Sequence, residues 1–403
     1  MKITGIITEY NPMHNGHMLH LEKTKSTLKS DAIVCIMSGN FVQRGLPAIV
    51  DKWSRAKMAI ENGVDLVLEL PVIYSVSSAE HFAFGSVSIL NSLNIVDSLC
   101  FGSECGNINL LYEIAKILVE EPEPYKISLK EHLKNGVSFP KARTFALSSY
   151  FDNMPEIDAV LNSSNNILGI EYIKSLLRLN STITPYTITR EGSNYNDKNF
   201  TTKYSSATSI REFIFNTNAN YSLEKLKEFM PDNNVNLFQE CILNGNIANP
   251  DNMLPYLKYK ALTQADTITN LPDVKEGLHN SLIKSLKECL NFNEVINSSK
   301  SKRYTYTRLS RILCQYFLGL EKYDLQHLLK QPPTYARALG FNNTGKEVLS
   351  LLKKSSSIPI YTNINKSHTK NLEIDINSTA CYSLLNRKIN YNDDFFKRPI
   401  IKL

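Results

Sequence analysis

The chain has 403 residues, 42% hydrophobic and 21% charged, with 16 glycines and 16 prolines, which excludes a collagen, a long coiled coil and a disordered chain. No stretch approaches the roughly 20 consecutive apolar residues that cross a bilayer, and the first apolar run soon meets charge and proline, so we predict a cytoplasmic protein without leader peptide or membrane partner. The net charge of +6 is too small to indicate nucleic-acid binding by itself.

The first 215 residues alternate short apolar runs with amphipathic stretches of helical length. The runs at 3–8, 32–37, 65–70, 95–101 and 182–188 have the composition of buried parallel strands. Parallel strands need crossovers of this length, so the pattern predicts an α/β fold with a doubly wound, Rossmann-like parallel sheet. The ligand crevice of such a sheet lies at the carboxyl ends of its strands, where we expect the functional residues.

From residue 216 to residue 403 the pattern changes to helical periodicity, most clearly at 223–229, 254–263, 277–290 and 307–320. We therefore predict a mainly α-helical C-terminal domain after an N-terminal domain of residues 1–215. A short alternating stretch after Pro359, with Ile360, Tyr361, Leu372 and Ile374, is consistent with a hairpin or a returning strand.

Three of the eight histidines fall in the first twenty residues, where the first predicted strand gives way to a helix. The turn from His14 to His17 aims unpaired backbone N–H groups and two imidazoles at one place, which suits a phosphate chain. Gly16 lets the backbone approach a ligand without a side chain in the way. The alternative is a polar loop that binds nothing, and His20 is equally suited to packing or to supporting the other two histidines.

The segment 37–45, which we call the site loop, follows the second predicted strand and holds two glycines, an arginine and side-chain amides. Its composition predicts a second loop at the site. Lys52 and Arg55, on the following helix, either add positive potential near phosphates or an incoming RNA, or are ordinary surface charges. The polar stretch 192–203 is a candidate for a loop that closes over the site.

Two segments resemble signatures of one enzyme superfamily. The turn HNGH is similar to the His-x-Gly-His signature of nucleotidylyltransferases, and Ser205-Ser206-Ala207-Thr208-Ser209-Ile210-Arg211 is similar to their second signature. More narrowly, the chain resembles the bacterial tRNA(Met) cytidine acetate ligase family over nearly its whole length. The segments that carry this resemblance are EYNPMHNGH, MSGNFVQRGLPAIVDKWSRA, FGSE, NNILGIEY, SSATSIR, SKRYTYTRLSRIL and ALGFN.

The resemblance implies an enzyme that activates acetate with ATP, giving acetyl-adenylate and pyrophosphate. It then transfers the acetyl group to N4 of the wobble cytidine of elongator tRNA(Met), giving N4-acetylcytidine. ATP is expected as a substrate accompanied by Mg²⁺, with no protein ligands assigned to the metal, and DNA is not an expected partner. Residues 1–215 would form the ATP-binding catalytic domain, and residues 216–403 the tRNA-binding domain.

The resemblance also implies roles for individual residues. His14 and His17 would hold the phosphates and stabilise the reacting α-phosphorus, and Arg211 would bind the β- and γ-phosphate oxygens. Each position also has a simpler interpretation, such as a turn glycine, a helix cap or a surface charge. The nucleotide contacts that carry over are Ile7, Thr8, Glu9, Tyr10, Asn11, Pro12, Met13, His14, Asn15, Gly16, His17, Met18, Leu19, His20, Gly102, Asn165 or Asn166, and Arg190.

A tRNA footprint is expected beside the ATP crevice, because the target base must be unstacked and presented to the acetyl group. In segment 300–311, Tyr304, Arg308 and Arg311 share one helical face, which is typical of RNA contacts and also of ordinary surface helices. The basic and aromatic residues around ALGFN could extend this surface, or ALGFN could be a turn between helices; these residues are Tyr335, Arg337 and Lys346.

Two other functions fit the same residues. The fold also serves adenylyltransferases and ligases that join other carboxylates to amines. A non-catalytic RNA-binding protein that takes ATP only as a ligand is the second alternative. Pyrophosphate exchange into ATP separates the three functions, because only the acetate ligase exchanges in an acetate-dependent manner.

Overall fold

A computed structural model describes residues 1–137, 139–152, 154–190, 206–216, 223–301, 303–365 and 370–403. The strands are β1 (Ile3–Thr8), β2 (Ala32–Ser38), β3 (Phe41–Val42), β4 (Leu46–Pro47), β5 (Leu66–Leu70), β6 (Ser98–Ser103), β7 (Thr184–Thr189), β8 (Ala336–Asn342), β9 (Ile360–Tyr361) and β10 (Ile400–Lys402).

The helices of the first part of the chain are α1 (Asn15–Leu28), α2 (Lys52–Glu61), α3 (Val72–Ser75), α4 (Ala79–Ser92), α5 (Ile108–Glu120), α6 (Glu123–Lys134), α7 (Phe139–Tyr150), α8 (Pro155–Leu161), α9 (Ser164–Arg178) and α10 (Ala207–Asn216). Those of the second part are α11 (Leu223–Leu226), α12 (Asp232–Leu243), α13 (Leu254–Thr263), α14 (Leu278–Glu288), α15 (Phe292–Ser299), α16 (Tyr306–Phe317), α17 (Leu325–Leu328), α18 (Asn343–Ser355), α19 (Lys370–Ser383) and α20 (Asp393–Phe396).

The main sheet has the strand order β10-β8-β5-β2-β1-β6-β7, with β9 beside β8. The pairs β1–β2, β2–β5, β1–β6 and β6–β7 are parallel. Every residue of β2 and β5 is buried, as expected for strands covered on both faces. The doubly wound α/β fold is confirmed, with β6 and β7 beginning two to three residues later than the predicted runs at 95 and 182.

Two apolar layers cover the two faces of the main sheet. One layer contains buried residues of α4, α5 and α9, and the other contains buried residues of α1, α2 and α12. The chain winds from β1 to β2 and β5 in one direction and then returns to β6 and β7 on the other side of β1. The winding therefore reverses between β1 and β6, where the carboxyl ends of two neighbouring strands diverge and leave a crevice.

The part of the chain after residue 216 is mainly helical but also adds strands to the main sheet. ALGFN is not a turn between helices, because these residues form most of β8, which pairs antiparallel with β5. The predicted returning strand is confirmed for Ile360 and Tyr361, which pair with β8, whereas Leu372 and Ile374 lie in α19. The boundary at residue 215 stays a prediction. Among the described residues, no helix is long and apolar enough to cross a membrane.

Candidate active site

A crevice opens at the carboxyl ends of β1 and β6, and it gathers most of the residues that the sequence singled out. From segment 7–20 it is lined by Ile7, Thr8, Glu9, Tyr10, Asn11, His14, Gly16, His17, Leu19 and His20. Of the predicted residues further along the chain it is lined by Gly102, Asn165, Arg190 and Arg211.

Four residues of the predicted segment do not line the crevice: Pro12, Met13, Asn15 and Met18. Asn15 instead anchors the turn to the second part of the chain. Its side-chain amide donates to the carbonyl of Glu228 at 3.0 Å, and its backbone N–H donates to that of Phe229 at 2.8 Å. The turn is therefore held in place from both parts of the chain.

The HNGH turn caps the helix that follows it with its own imidazoles. His14 is the N-cap of α1, and its Nδ1 accepts a hydrogen bond from the backbone N–H of Gly16 at 3.1 Å. The Nδ1 of His17 accepts from the backbone N–H of His14 at 3.2 Å. Because Nδ1 is an acceptor in both rings, a neutral imidazole carries its proton on Nε2. Each ring thus has an Nε2–H donor left for a ligand.

The imidazoles of this turn are neutral at physiological pH. Burial and the positive charges of Arg190 and Arg211 lower the pKa of His14 to about 3. Burial, together with His14, Arg190 and His20, holds the pKa of His17 well below its usual value. Burial and Arg190 lower the pKa of His20 to about 4. Burial, the largest cause, disfavours charge of either sign, whereas the contributions of Arg190 and Arg211 reflect a positive potential that suits an anion.

Gly16 is required by the packing of the turn. A Cβ atom at this position would lie 2.9 Å from Cε1 and 3.1 Å from Nδ1 of the His14 ring. Any side chain would therefore displace the imidazole that caps α1. The close approach of backbone to ring explains the glycine even without a ligand.

Two arginines face this turn across the crevice. Arg211, on α10, donates to the carbonyl of Asn11 at 2.6 Å and to the hydroxyl of Thr208 at 3.1 Å. Arg190 follows β7, and its guanidinium lies 3.5 Å from the Asn165 side-chain oxygen. The crevice thus combines neutral imidazole donors with two guanidinium groups, an arrangement that suits phosphate oxygens.

The structure distinguishes the two asparagines of NNILG. Asn165 lines the crevice, and its amide donates to the Glu104 carboxylate at 2.7 Å. Asn166 is buried, and its side-chain oxygen accepts from the backbone N–H groups of Glu104 and Cys105 at 2.9 and 3.2 Å. Asn165 is therefore the better candidate for a nucleotide contact, whereas Asn166 shapes the loop after β6.

Gly102 lies beside Arg190 at the end of β6. A Cβ atom here would lie 3.1 Å from the Arg190 Cγ, so a larger residue would displace the arginine side chain. This position therefore gives Arg190 room within the crevice, in addition to exposing backbone to a ligand.

The crevice also has an apolar wall, which the sequence analysis did not predict. It is formed by Phe82, Phe101, Leu168 and Tyr172, with Val42 and Leu46 from the β3–β4 hairpin. The rings of Phe101 and Tyr172 are packed edge to face, 5.7 Å apart. Leu168 and Tyr172 have ordinary helical spacing, so their pattern alone does not distinguish a ligand wall from a core.

The site loop lies at the crevice, as its composition indicates. Gln43 and Arg44 line it, and the backbone N–H of Gln43 donates to the Glu9 carboxylate at 2.8 Å. Gly45 packs directly on the backbone of α16, and its carbonyl accepts from the Ser310 hydroxyl at 2.9 Å. The loop therefore joins the crevice to the helical part of the chain.

Comparisons with known proteins identify the family. The family model described as HIGH Nucleotidyl Transferase matches residues 1–395. The tRNA(Met) cytidine acetate ligase of Clostridium novyi (strain NT) is 52% identical over 400 residues, covering 99% of each chain. The ligase of Clostridium tetani (strain Massachusetts / E88) is 49% identical over the full length of both chains. The chain belongs to the tRNA(Met) cytidine acetate ligase family.

A solved structure supports the same assignment. The crystal structure of Thermotoga maritima TmcAL bound with alpha-thio ATP is 33% identical in sequence and superposes with a TM-score of 0.90. The superposition covers 100% of this chain and 99% of the Thermotoga maritima chain. The apo form of the same protein superposes with a TM-score of 0.91.

Both interpretations that the sequence offered for Lys52 and Arg55 are wrong. Lys52 and Arg55 are neither surface charges nor groups that face a phosphate, because both side chains are fully buried. Lys52 pairs with Glu69 at 2.8 Å and with Asp394 at 2.9 Å. The hydrogen bonds of Arg55 go to backbone carbonyls beneath the site.

The expected RNA surface is only partly available. Tyr335 and Arg337 are buried in the sheet region, which removes them from that surface, whereas Lys346 is exposed. Arg308 is partly exposed and pairs with Asp273 at 3.0 Å. Lys346 and the basic residues of α16 therefore remain candidates for the expected RNA contact.

On α16, Arg308 also stacks on the ring of Tyr304, 4.8 Å from its centroid. Tyr304 itself is buried, so it is not free to stack on a base. Arg311 is half-buried. Ser205 of the second signature and the candidate closing loop 192–203 lie outside the described residues.

Proposed function

We propose that this chain is an ATP-dependent ligase that forms acetyl-adenylate and transfers the acetyl group to N4 of the wobble cytidine of elongator tRNA(Met). The observation that carries the proposal is the HNGH turn, whose neutral imidazoles face two arginines at the reversal point of the sheet. The family relatives named for this reaction support the identity of the substrates. With tRNA as the substrate, the proposed location is the cytoplasm.

The first step is a displacement at the α-phosphorus of ATP. A carboxylate oxygen of acetate forms the new O–P bond while the bond from the α-phosphorus to the bridging oxygen breaks and pyrophosphate leaves. Negative charge grows on the departing oxygens, and the Nε2–H groups of His14 and His17 are donors suited to it. Because acetate is the nucleophile, no side chain forms a covalent intermediate.

The charges of the site favour the same step. Arg190 and Arg211 offer fixed positive charge that an incoming triphosphate can use, and the imidazoles add hydrogen bonds without requiring a proton from solution. Arg211 already donates to the Asn11 carbonyl, so it is oriented before the nucleotide arrives. Preorganised donors of this kind need no rearrangement during the reaction.

The second step joins the acetyl carbon to the cytidine amine. N4 attacks the carbonyl carbon, AMP leaves with the oxygen that acetate supplied, and N4 loses one proton. The apolar wall formed by Phe82, Phe101, Leu168 and Tyr172 would shield the mixed anhydride from water. Exclusion of water matters because hydrolysis would waste the adenylate.

Mg²⁺ is proposed to enter with the nucleotide. In the described part of the chain, no group of three or more His, Cys, Asp or Glu side chains is arranged to hold a metal ion. Mg²⁺ that accompanies ATP is typically held by phosphate oxygens and water, with one or two carboxylates at most. Glu9 is the acidic residue among those that line the crevice, and its carboxylate is the candidate for such a contact.

Pyrophosphate exchange and mass analysis test this function. Purified protein should exchange labelled pyrophosphate into ATP only when acetate is present. With tRNA added, the elongator tRNA(Met) should gain the mass of one acetyl group. Exchange that requires a different carboxylate or a nucleotide-like acceptor would favour another nucleotidylyltransferase, and absence of any exchange would favour an RNA-binding protein.

A further inference from the structure

Arg55 is a fully buried arginine on α2 whose side chain makes four hydrogen bonds to backbone carbonyls. Its Nε donates to Val50 at 3.1 Å. One terminal nitrogen donates to Glu9 at 2.7 Å and to Ser38 at 2.9 Å, and the other donates to Gly39. A single guanidinium thus contacts three separate stretches of chain.

Three of the four accepting carbonyls lie in the two loops that build the crevice, and that of Val50 lies just before α2. Glu9 is the first residue after β1 and begins the turn that carries His14. Ser38 ends β2, and Gly39 follows it in the site loop. These strands are neighbours, so the guanidinium lies beneath the point where the two loops separate.

Two further hydrogen bonds join the turn after β1 to the segment between β2 and α2. The side-chain oxygen of Asn11 accepts from the backbone N–H of Ile49 at 2.8 Å. The Glu9 carboxylate accepts from the N–H of Gln43. The turn after β1 is therefore joined to the segment between β2 and α2 by these two bonds as well as by the guanidinium of Arg55.

Arginine is the side chain suited to this position. Its planar group presents five N–H donors in a fixed fork, whereas lysine offers three donors from one rotating point. Burial lowers the pKa of Arg55, while Tyr382, Asp51, Glu9 and Glu69 oppose that effect, and an arginine remains charged at neutral pH.

We propose that Arg55 is a positioning residue that fixes the HNGH turn relative to the site loop. It does not touch substrate, because its side chain is buried beneath both loops. Its contribution is to the geometry in which His14 and His17 meet the reacting phosphorus. The inference rests on the proposed adenylate-forming activity.

The test compares Arg55→Lys and Arg55→Gln with Lys260→Met. Lys260 is a largely buried cation in the helical part of the chain that binds Glu321 and a backbone carbonyl. For each variant we would measure Tm, and kcat and KM for ATP in acetate-dependent pyrophosphate exchange, at least about 10 °C below the lowest Tm. Loss of geometry at a reacting centre typically costs about 100-fold in rate.

We expect both Arg55 variants to lose roughly 30- to 100-fold in kcat, with KM for ATP within about threefold of wild type. Lys260→Met should lower Tm but keep kcat within about twofold. Retention of kcat within about threefold in a folded Arg55 variant would overturn the inference. So would failure of both variants to fold, because Arg55 would then serve folding. Absence of exchange in the wild type would instead refute the proposed function.

Discussion

Two neighbouring regions of the described chain hold cationic side chains in place, and the acceptors of their hydrogen bonds differ. Beneath the crevice, Arg55 donates to four backbone carbonyls, and Arg211 at its rim donates to a carbonyl and a hydroxyl. These acceptors are neutral. These hydrogen bonds orient both guanidinium groups, and the carboxylates of Asp51, Glu9 and Glu69 also favour the charged form of Arg55.

A second region lies where β5 meets β8 and α20. There Lys52 and Arg337 share the carboxylates of Glu69 and Asp394. All four side chains are buried, and opposite charges compensate each other within the group. We call this set the buried ion network.

In this fold the position of a cation separates a role at the crevice from a role in packing. Arg211 lines the crevice where an anion would enter, whereas Lys52 and Arg337 bind carboxylates inside the protein. The buried ion network would therefore fix the strands contributed by the second part of the chain. At the crevice, the lining residues Arg190 and Arg211 would meet a triphosphate.

The largest expected effect is on chemistry in the crevice. His17→Ala should reduce acetate-dependent pyrophosphate exchange by roughly 100- to 1000-fold, because it removes one donor to the developing charge. Binding of tRNA should stay within about twofold of wild type, because His17 lies at the nucleotide side of the crevice. Exchange kinetics and a tRNA gel-shift titration measure the two quantities.

His132→Ala is the matched control for this experiment, since His132 lies on α6 and does not line the crevice. Its exchange rate should equal that of wild type. If His17→Ala activated acetate at the normal rate, neutral imidazoles would have no role in the reaction, and the comparison between the two regions would lose its functional side.

The two regions should also respond oppositely to pH. The folded pKa of His20, about 4, lies below its ordinary value of 6.5, so the unfolded chain binds more protons and stability falls as pH drops through this window. Burial and Glu69 raise the pKa of Asp375 from 3.8 to about 7, so its contribution to stability falls as pH rises through that window. Asp375 borders the buried ion network and bonds to Tyr335.

Urea unfolding of the nucleotide-free protein between pH 4.5 and pH 6.5 tests these signs. Relative to wild type, His20→Asn should make the free energy of unfolding rise less steeply with pH, and Asp375→Asn should make it rise more steeply. Each change is at most about 1.4 kcal/mol per pH unit. Changes of the same sign in both variants would contradict the contrast between the regions.

The sequence predicted much of the fold because buried parallel strands are continuous apolar runs, as in β1, β2 and β5. It did not predict β8. ALGFN is short and contains glycine, and its partner β5 lies far away in the chain, so no local pattern shows the pairing. Strand pairing at such separation depends on tertiary contacts that periodicity does not report.

At the site, too, local patterns predicted some residues, whereas others depend on tertiary contacts. HNGH was found because its residue types and its place after the first strand suit phosphate chemistry, and Arg211 was found because SSATSIR resembles the second signature of nucleotidylyltransferases. Arg55 was misread, because charged side chains are almost always exposed and its carbonyl partners are brought together only by the fold. The wall residues Leu168 and Tyr172 were missed because they have the spacing of a core.

A smaller effect should separate the two asparagines. Asn165→Ala should raise KM for ATP about 5- to 10-fold, about the value of one lost hydrogen bond, with little change in Tm. Asn166→Ala should instead lower Tm, because the N–H groups of Glu104 and Cys105 lose their acceptor. Each variant is the control for the other, and an unchanged KM in Asn165→Ala would place the nucleotide away from α9.

The smallest effect is expected on the RNA side. Arg308→Ala should weaken tRNA binding a few-fold and reduce the magnitude of the salt slope by about 1, because one phosphate contact is lost. Acetate-dependent exchange should not change. Arg178→Ala is the matched control, since it is also a partly exposed arginine paired with a carboxylate, that of Glu80, but lies on α9.

The comparison of these two variants decides whether α16 belongs to the RNA footprint. Arg308 gives up its pair with Asp273 when it binds a phosphate, so its net contribution is small and its salt dependence is the clearer measure. Arg311→Ala should show a smaller loss, because that side chain is half-buried. Identical salt slopes for Arg308→Ala and Arg178→Ala would place the tRNA on another surface, even if exchange at the crevice proceeds as expected.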